Sequence, residues 1–222
     1  TEMDLLRLQK SLLMARLSAN CTSLVDRNEP GYSTKLERLE ELLSDVAAQP
    51  DRKVVLFSEW TRMLNKIGDV CKRVGVQYVR LDGSVPQKKR QQIVHEFQHN
   101  AECQLIMMTN AGSTGLNLQA ANTVINVDLP WNPAILEQRI GRAHRMGQKQ
   151  PVHVYILVTE ETIEERMLGT LSDKHDLALA ALDVKSDVSY VEFRSGITNL
   201  KERLERLLGE MPAAPVDVSE QR

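Results

Sequence analysis

The chain has 222 residues, 42% of them apolar and 26% charged, with a formal net charge of −2. Those are ordinary globular proportions and leave room for one sizeable α/β domain with short additions at either end. The near-neutral balance excludes a broadly basic nucleic-acid binder, so any attraction to phosphate has to be local.

In chain order, residues 3–17 carry Leu5, Leu6, Leu12, Leu13 and Leu17 at helical spacing, which predicts an amphipathic helix. Residues 18–32 read as a loop, with Asn28, Pro30 and Gly31 close together. Thr34, followed three residues on by Glu37, predicts a capping box for a helix to about residue 48, with Leu36, Leu39, Leu42 and Leu43 on one apolar face. KVVLF (53–57) then reads as a buried strand, 60–74 as a helix, and VQYVRL (76–81) as a strand. Pro86 suits the first turn of a helix reaching about His99, capped by Ser84 or Val85. QLIMMT (104–109), TVINVD (123–128) and VHVYILV (152–158) are further strands, with a helix over 132–141 between the last two. A long helix over 161–182 turns Ile163, Met167, Leu168 and Leu171 inward; a linker, a short helix over 197–209 and a tail rich in Pro and Ala follow. Apolar strands separated by helices predict a mostly parallel sheet flanked by helices.

Three scattered cysteines, Cys21, Cys71 and Cys103, without a C-x-x-C pair, fit reduced thiols. No signal peptide is visible, and no apolar run approaches the ~18–20 residues that span a bilayer. The expectation is an intracellular protein of cytoplasm (nucleoid) or nucleus, with no membrane partner. The opening Thr-Glu-Met reads as a piece cut from something longer.

In an open parallel sheet, ligands bind at the carboxyl ends of the strands. Four unusual segments fall there: FSEW, LDGS, TNAGSTGLN and DLPWNP. TNAGSTGLNL (109–118) has the composition of a loop whose backbone approaches a ligand, but it lacks the lysine of a Walker A loop. In RLDGSVPQKKR (80–90) a tight turn at Gly83 precedes a helix start beside Lys88, Lys89 and Arg90, an arrangement suited to phosphate. QRIGRAHRMGQ (138–148) sets Arg139, Arg142 and Arg145 three residues apart with no acid among them. Like charges at that spacing cost a helix a few tenths of a kcal/mol each, about 0.2–0.5, so an anion is expected. A guanidinium fork donates two hydrogen bonds to phosphate and stays charged. HEFQH (95–99) matches the H-E-x-x-H pair of zinc hydrolases through His95, Glu96 and His99, but no acid follows Glu102 until Asp128 to serve as third ligand. The metal expectation is therefore none.

FSEW, LDGS, TNAGSTGLNL, DLPWNP and QRIGRAHRMGQ, in this order and spacing, resemble the motifs of the second RecA-like lobe of Swi/Snf-type ATPases, in helicase superfamily two. The resemblance covers about residues 33–182 as the lobe, leaving 1–32 as a helical N-terminal extension and 183–222 as linker, short helix and tail. It implies that Arg142 and Arg145 are arginine fingers reaching ATP held on a first lobe. It further implies that Gln138, Gly115 and Asn117 lie near that nucleotide. Thr109, Ser58 and the Gly83–Ser84 turn are then expected on the phosphates of one DNA strand, and Trp131 is the tryptophan of the WNP motif. One departure stands out: where the family commonly has Ala-Gly-Gly-hydrophobic-Gly, this chain has Ala111-Gly112-Ser113-Thr114-Gly115. No Walker A lysine and no Asp-Glu-x-His magnesium motif occurs here, so ATP and Mg are expected mainly on a first lobe preceding this chain, and the chain alone should hydrolyse none. The implied function is ATP-driven translocation on double-stranded DNA, remodelling DNA-bound proteins without strand separation. The alternatives are a non-catalytic RecA-like module that binds DNA or protein, a zinc hydrolase, and a strand-separating helicase.

Overall fold

The apolar runs become one sheet. In the computed structural model, which describes residues 2–28, 31–111, 116, 118–143, 152–169 and 171, the strands are β1 (Val54–Phe57), β2 (Gln77–Leu81), β3 (Cys103–Met108), β4 (Thr123–Asn126) and β5 (His153–Ile156). Their order across the sheet is β2-β3-β1-β4-β5, and every pairing is parallel. β1, β3 and β4 are buried throughout, which is why they read as continuous apolar runs rather than as alternating ones. β2 and β5 are the edges and are partly exposed.

The helices are α1 (Glu2–Asn20), α2 (Thr34–Ala47), α3 (Thr61–Val74), α4 (Gln87–His99) and α5 (Pro133–Ile140), with further helical residues at 163–169. Strand side chains alternate between two cores. Val55, Phe57, Ile106, Met108 and Val124 face Phe97 of α4, Leu136 and Ile140 of α5, and Met167, Leu168 and Leu171. Val54, Leu56, Leu105, Met107 and Ile125 face Leu39 and Leu43 of α2 and Met63, Leu64 and Ile67 of α3. Each such side chain, fully withdrawn from water, contributes about 1.5–3 kcal/mol. The expected inward set Met167, Leu168 and Leu171 is buried and Ile163 partly so; the rest of the 161–182 helix and the 183–222 extension lie outside the described residues.

Three local expectations are corrected. α2 is capped by Ser33 and not by Thr34: the Ser33 hydroxyl accepts the Leu36 N–H (3.1 Å) and donates to the Asn20 carbonyl (2.6 Å). The cap of α4 is Pro86, because the Ser84 N–H and hydroxyl are both given to the Asp82 carboxylate at 2.8 and 2.5 Å. In α1 the leucines do not form the buried face: Leu6 and Leu13 are exposed, Leu12 and Leu17 half-buried, and Arg16, Ala19 and Asn20 are buried.

A buried polar hub joins the N-terminal segment to the sheet. Lys35 donates to the Val127 carbonyl (2.6 Å), to Asn20 Oδ1 (3.1 Å) and to Glu164 Oε1 (2.6 Å), and Glu164 Oε2 accepts the Thr159 N–H at 2.9 Å. Burial pushes the Glu164 carboxyl upward against the pull of Lys35. α1, α2 and the segment after β5 are thereby joined at one buried point.

Candidate functional site

Parallel strands bring their following loops to one edge, and main-chain hydrogen bonds carry the ladder one residue further. Ser58 N donates to Met108 O (3.1 Å), Thr109 N to Leu81 O (3.4 Å) and Val127 N to Phe57 O (2.9 Å). The ends of β2, β3 and β1 therefore lie side by side, bearing Gly83–Ser84, Thr109 and Ser58 in that order.

Asp128, 1% exposed, organises the middle of this edge. Its carboxylate accepts the Ser58 hydroxyl at 2.6 Å and the Glu59 N–H at 3.0 Å, which fixes the loop after β1. The same carboxylate stands 3.6 Å from Arg139 Nη2, and its carbonyl accepts Arg139 Nη1 at 2.9 Å. Arg139 also donates through Nε to Asn110 Oδ1 at 2.9 Å and lies over the Phe57 ring. At 2% exposure, Arg139 is no anion site: it anchors α5 to the ends of β3 and β4. Sequence spacing does not separate it from its neighbour Arg142; the burial of α5 does.

Arg142 follows α5 and is half-buried. Its Nη1 donates to the Leu116 carbonyl at 3.3 Å, and its own carbonyl accepts the Leu118 N–H at 3.1 Å. The segment after the glycine-rich loop is thus tied to the C-terminal end of α5, while at its start Asn132 caps the helix by accepting the Ala134 N–H at 3.0 Å. Gln138 is exposed on the same short helix. Arg145, Gly115 and Asn117 lie outside the described residues.

Among the residues expected on nucleic-acid phosphates, the structure makes a division. Gly83 and Ser84 are exposed, with exposed Lys88 and Lys89 at the start of α4. Ser58 is completely buried, and its hydroxyl donates to Asp128 and so fixes the loop after β1. Thr109 is buried as well, at 6% exposure. The Gly83–Ser84 turn is shaped by Asp82. Burial alone would raise the Asp82 carboxyl, but the Ser84 hydroxyl and N–H and the Arg80 guanidinium (2.6 Å) outweigh it and hold it below its ordinary 3.8. Gly83 has no positive φ, and a Cβ there would meet nothing nearer than the Ala111 Cβ at 3.9 Å. The fold does not require glycine at that position.

The HEFQH residues are engaged within α4: the His95 and His99 rings stack at 4.1 Å, His99 Nδ1 lies 3.0 Å from the His95 carbonyl, and Glu96 accepts from Asn100 at 2.6 Å. Among the described residues no group of three or more His, Cys, Asp or Glu is placed to hold a metal ion. Cys21, Cys71 and Cys103 are free and buried, and burial pushes the Cys71 thiol up to about 12. Among the described residues no helix is long and apolar enough to cross a membrane.

Two features escaped sequence reading. Asp128 carried a signal, as an acid at the end of an otherwise apolar strand run. Arg16 carried none: an arginine among leucines reads as the solvated face of a helix, yet it is buried against Glu59, the Leu129 carbonyl and both tryptophans.

Residues 34–147 match the family described as "Helicase conserved C-terminal domain". The chain is 38% identical over 180 residues to SWI/SNF-related matrix-associated actin-dependent regulator of chromatin subfamily A member 1 of Mus musculus, covering 75% of this chain and 17% of that protein. It is 41% identical over 164 residues to DNA repair and recombination protein RAD54B of Homo sapiens, covering 72% and 18%. Against chromatin-remodeling ATPase INO80 of Arabidopsis thaliana the identity is 40% over 144 residues, covering 64% and 10%. The chain thus spans less than a fifth of the length of these relatives. Among solved structures, the C-terminal part of the Fun30 ATPase domain superposes with a TM-score of 0.60 at 32% identity, covering 63% of this chain and 45% of that one. With a five-stranded parallel sheet of RecA-like form and a match over more than half its length, the chain belongs to the helicase conserved C-terminal domain family, on its Swi/Snf-type branch.

Proposed function

We propose that this chain is the second motor lobe of an ATP-driven translocase on double-stranded DNA that remodels protein–DNA complexes. The observation that carries the reading is the fixing of Arg142. A short helix, anchored by buried Arg139, delivers it to a segment following the glycine-rich loop, with its guanidinium donating to Leu116 O. Such an anchored, half-buried arginine is pre-oriented for a transferring phosphoryl group, where an arginine contributes about 10³–10⁵ in rate.

In this reading Arg142 and Arg145 act on the γ-phosphate of ATP, which a first lobe holds together with Mg. Gln138, Gly115 and Asn117 face the same nucleotide. Gly83 and Ser84 take the phosphates of one DNA strand by main-chain and hydroxyl donors, with Lys88 and Lys89 adding local charge. Thr109 and Ser58 lie beneath them and hold the strand ends in place. Cycles of lobe closure then carry the DNA contacts along the backbone. The family relationship and the names of the relatives, a chromatin-remodeling ATPase and a DNA repair protein among them, support the reading.

The test is made on the full-length protein. ATP hydrolysis stimulated by duplex DNA, with displacement of a third strand from a triplex and no separation of the duplex, is the expected result. ATP-independent DNA binding without turnover would instead favour a non-catalytic module.

A further inference from the structure

α1 lies upstream of the residues that match the family, yet one of its side chains reaches the carboxyl edge of the sheet. Arg16 is 8% exposed. Its Nη2 donates to Glu59 Oε2 at 2.6 Å and to the Leu129 carbonyl at 2.9 Å. Its guanidinium carbon lies 5.4 Å from the ring centres of both Trp60 and Trp131. Both distances are within the range over which a cation is attracted to a ring face.

These contacts are not those of a helix merely resting on a domain. Glu59 and Trp60 directly follow Ser58 in the loop that Asp128 fixes, whereas Leu129 and Trp131 lead into Asn132, the cap of α5. Arg16 therefore spans two loops from the outside, in addition to the Ser58 and Glu59 bonds to Asp128 beneath it. Its charge also has work to do there. Burial, and then the nearby Asp128 carboxylate, push the Glu59 carboxyl upward, and Arg16 opposes both. A neutral residue at position 16 would leave two acids close together with Arg139 as the remaining cation.

We propose that Arg16 is a positioning residue of the motor: it clamps the Glu59–Trp60 loop to the Leu129–Trp131 loop, and so lets the N-terminal helix α1 set the placement of α5 and its arginine relative to the strand ends on the DNA side. The inference rests on the proposed motor function, because it assigns Arg16 to the coupling of DNA contact with ATP turnover.

Two readouts test it separately. The chain holds two tryptophans, Trp60 and Trp131, and both stack on Arg16, so intrinsic tryptophan emission reports on the clamp itself. In the full-length protein, tryptophan-to-phenylalanine changes outside this chain keep that signal specific. Arg16→Ala is expected to shift the emission, to lower DNA-stimulated ATP turnover about tenfold, and to leave the DNA-free rate within about twofold. Arg16→Lys, which keeps a cation between the rings, should recover most of the stimulation. If Arg16→Ala does not fold, Arg16→Gln carries the same test. A folded variant with unshifted emission would show that the clamp does not exist, and shifted emission with unchanged stimulation would show that it does not matter; either overturns the proposal. A wild type without DNA-stimulated turnover would sink the motor reading and this coupling with it, while the emission would still decide whether the clamp forms.

Discussion

Arg139 and Arg142 stand three residues apart and end in opposite environments. Arg139 is buried against Asp128, Asn110 and Phe57, whereas Arg142 is half-buried and donates to the Leu116 carbonyl. Removing one partner of a buried ion pair leaves an uncompensated charge, which costs about 3–5 kcal/mol. Arg139→Ala is therefore expected to lose that much in urea unfolding. Arg142→Ala leaves no buried carboxylate without its cation and gives up hydrogen bonding that includes the Leu116 carbonyl, so it should lose less, on the order of 1 kcal/mol. Equal losses would mean that the two arginines have been assigned to the wrong environments. Sequence showed three like charges and the need for an anion; it did not show that one of those anions is Asp128 of the same chain. The burial of Ser58 was hidden for a related reason, since a hydroxyl following a strand looks exposed until a carboxylate is placed beside it.

At the scale of elements, strands buried on both faces were legible as apolar runs, and each of the five formed within two residues of its expected bounds. Helix starts were less legible. The start of α2 was read one residue late because Ser33 and Thr34 are chemically alike as caps, and what selects Ser33 is its second bond to Asn20, a partner brought in by tertiary packing. α1 was misread more deeply. Leucine periodicity gave a helix, but the buried positions are those that reach the sheet edge and the Lys35 hub, and these include Arg16 and Asn20. Apolar spacing cannot announce a face that is buried through ion pairs and ring stacking.

The turn between β2 and α4 yields a prediction of its own. A carboxyl whose pKa is lowered by folding adds stability above its unfolded value and loses it as pH falls through the folded one. Asp82→Asn should therefore be less stable than wild type at pH 7, and the difference should shrink as pH falls below about 3.8, the ordinary value of the group. Urea midpoints measured from pH 7 to pH 3 check this. A difference independent of pH would mean that Asp82 acts as a hydrogen-bonding shape and not as a charge.

For the whole molecule, the sheet separates two cores and leaves one edge for chemistry. That edge presents the exposed Gly83–Ser84 turn on one strand end and Arg142 after α5, with the buried Asp128 and Arg139 between them. Composition and periodicity were enough for the α/β class, while the motor reading came from five motifs in a fixed order. Arg16 and the Lys35–Glu164 pair belong to no motif, and their contacts, like those of Asp128 at the head of DLPWNP, became visible only in three dimensions. The central claim is that this lobe supplies half of an active site by offering arginines to ATP held elsewhere. The most direct measurement is ATP turnover by the full-length protein with saturating duplex DNA, comparing wild type with Arg142→Ala and Arg145→Ala. The account expects each variant to keep its fold and to lose about a hundredfold or more in the DNA-stimulated rate; a rate unchanged in both variants would contradict it.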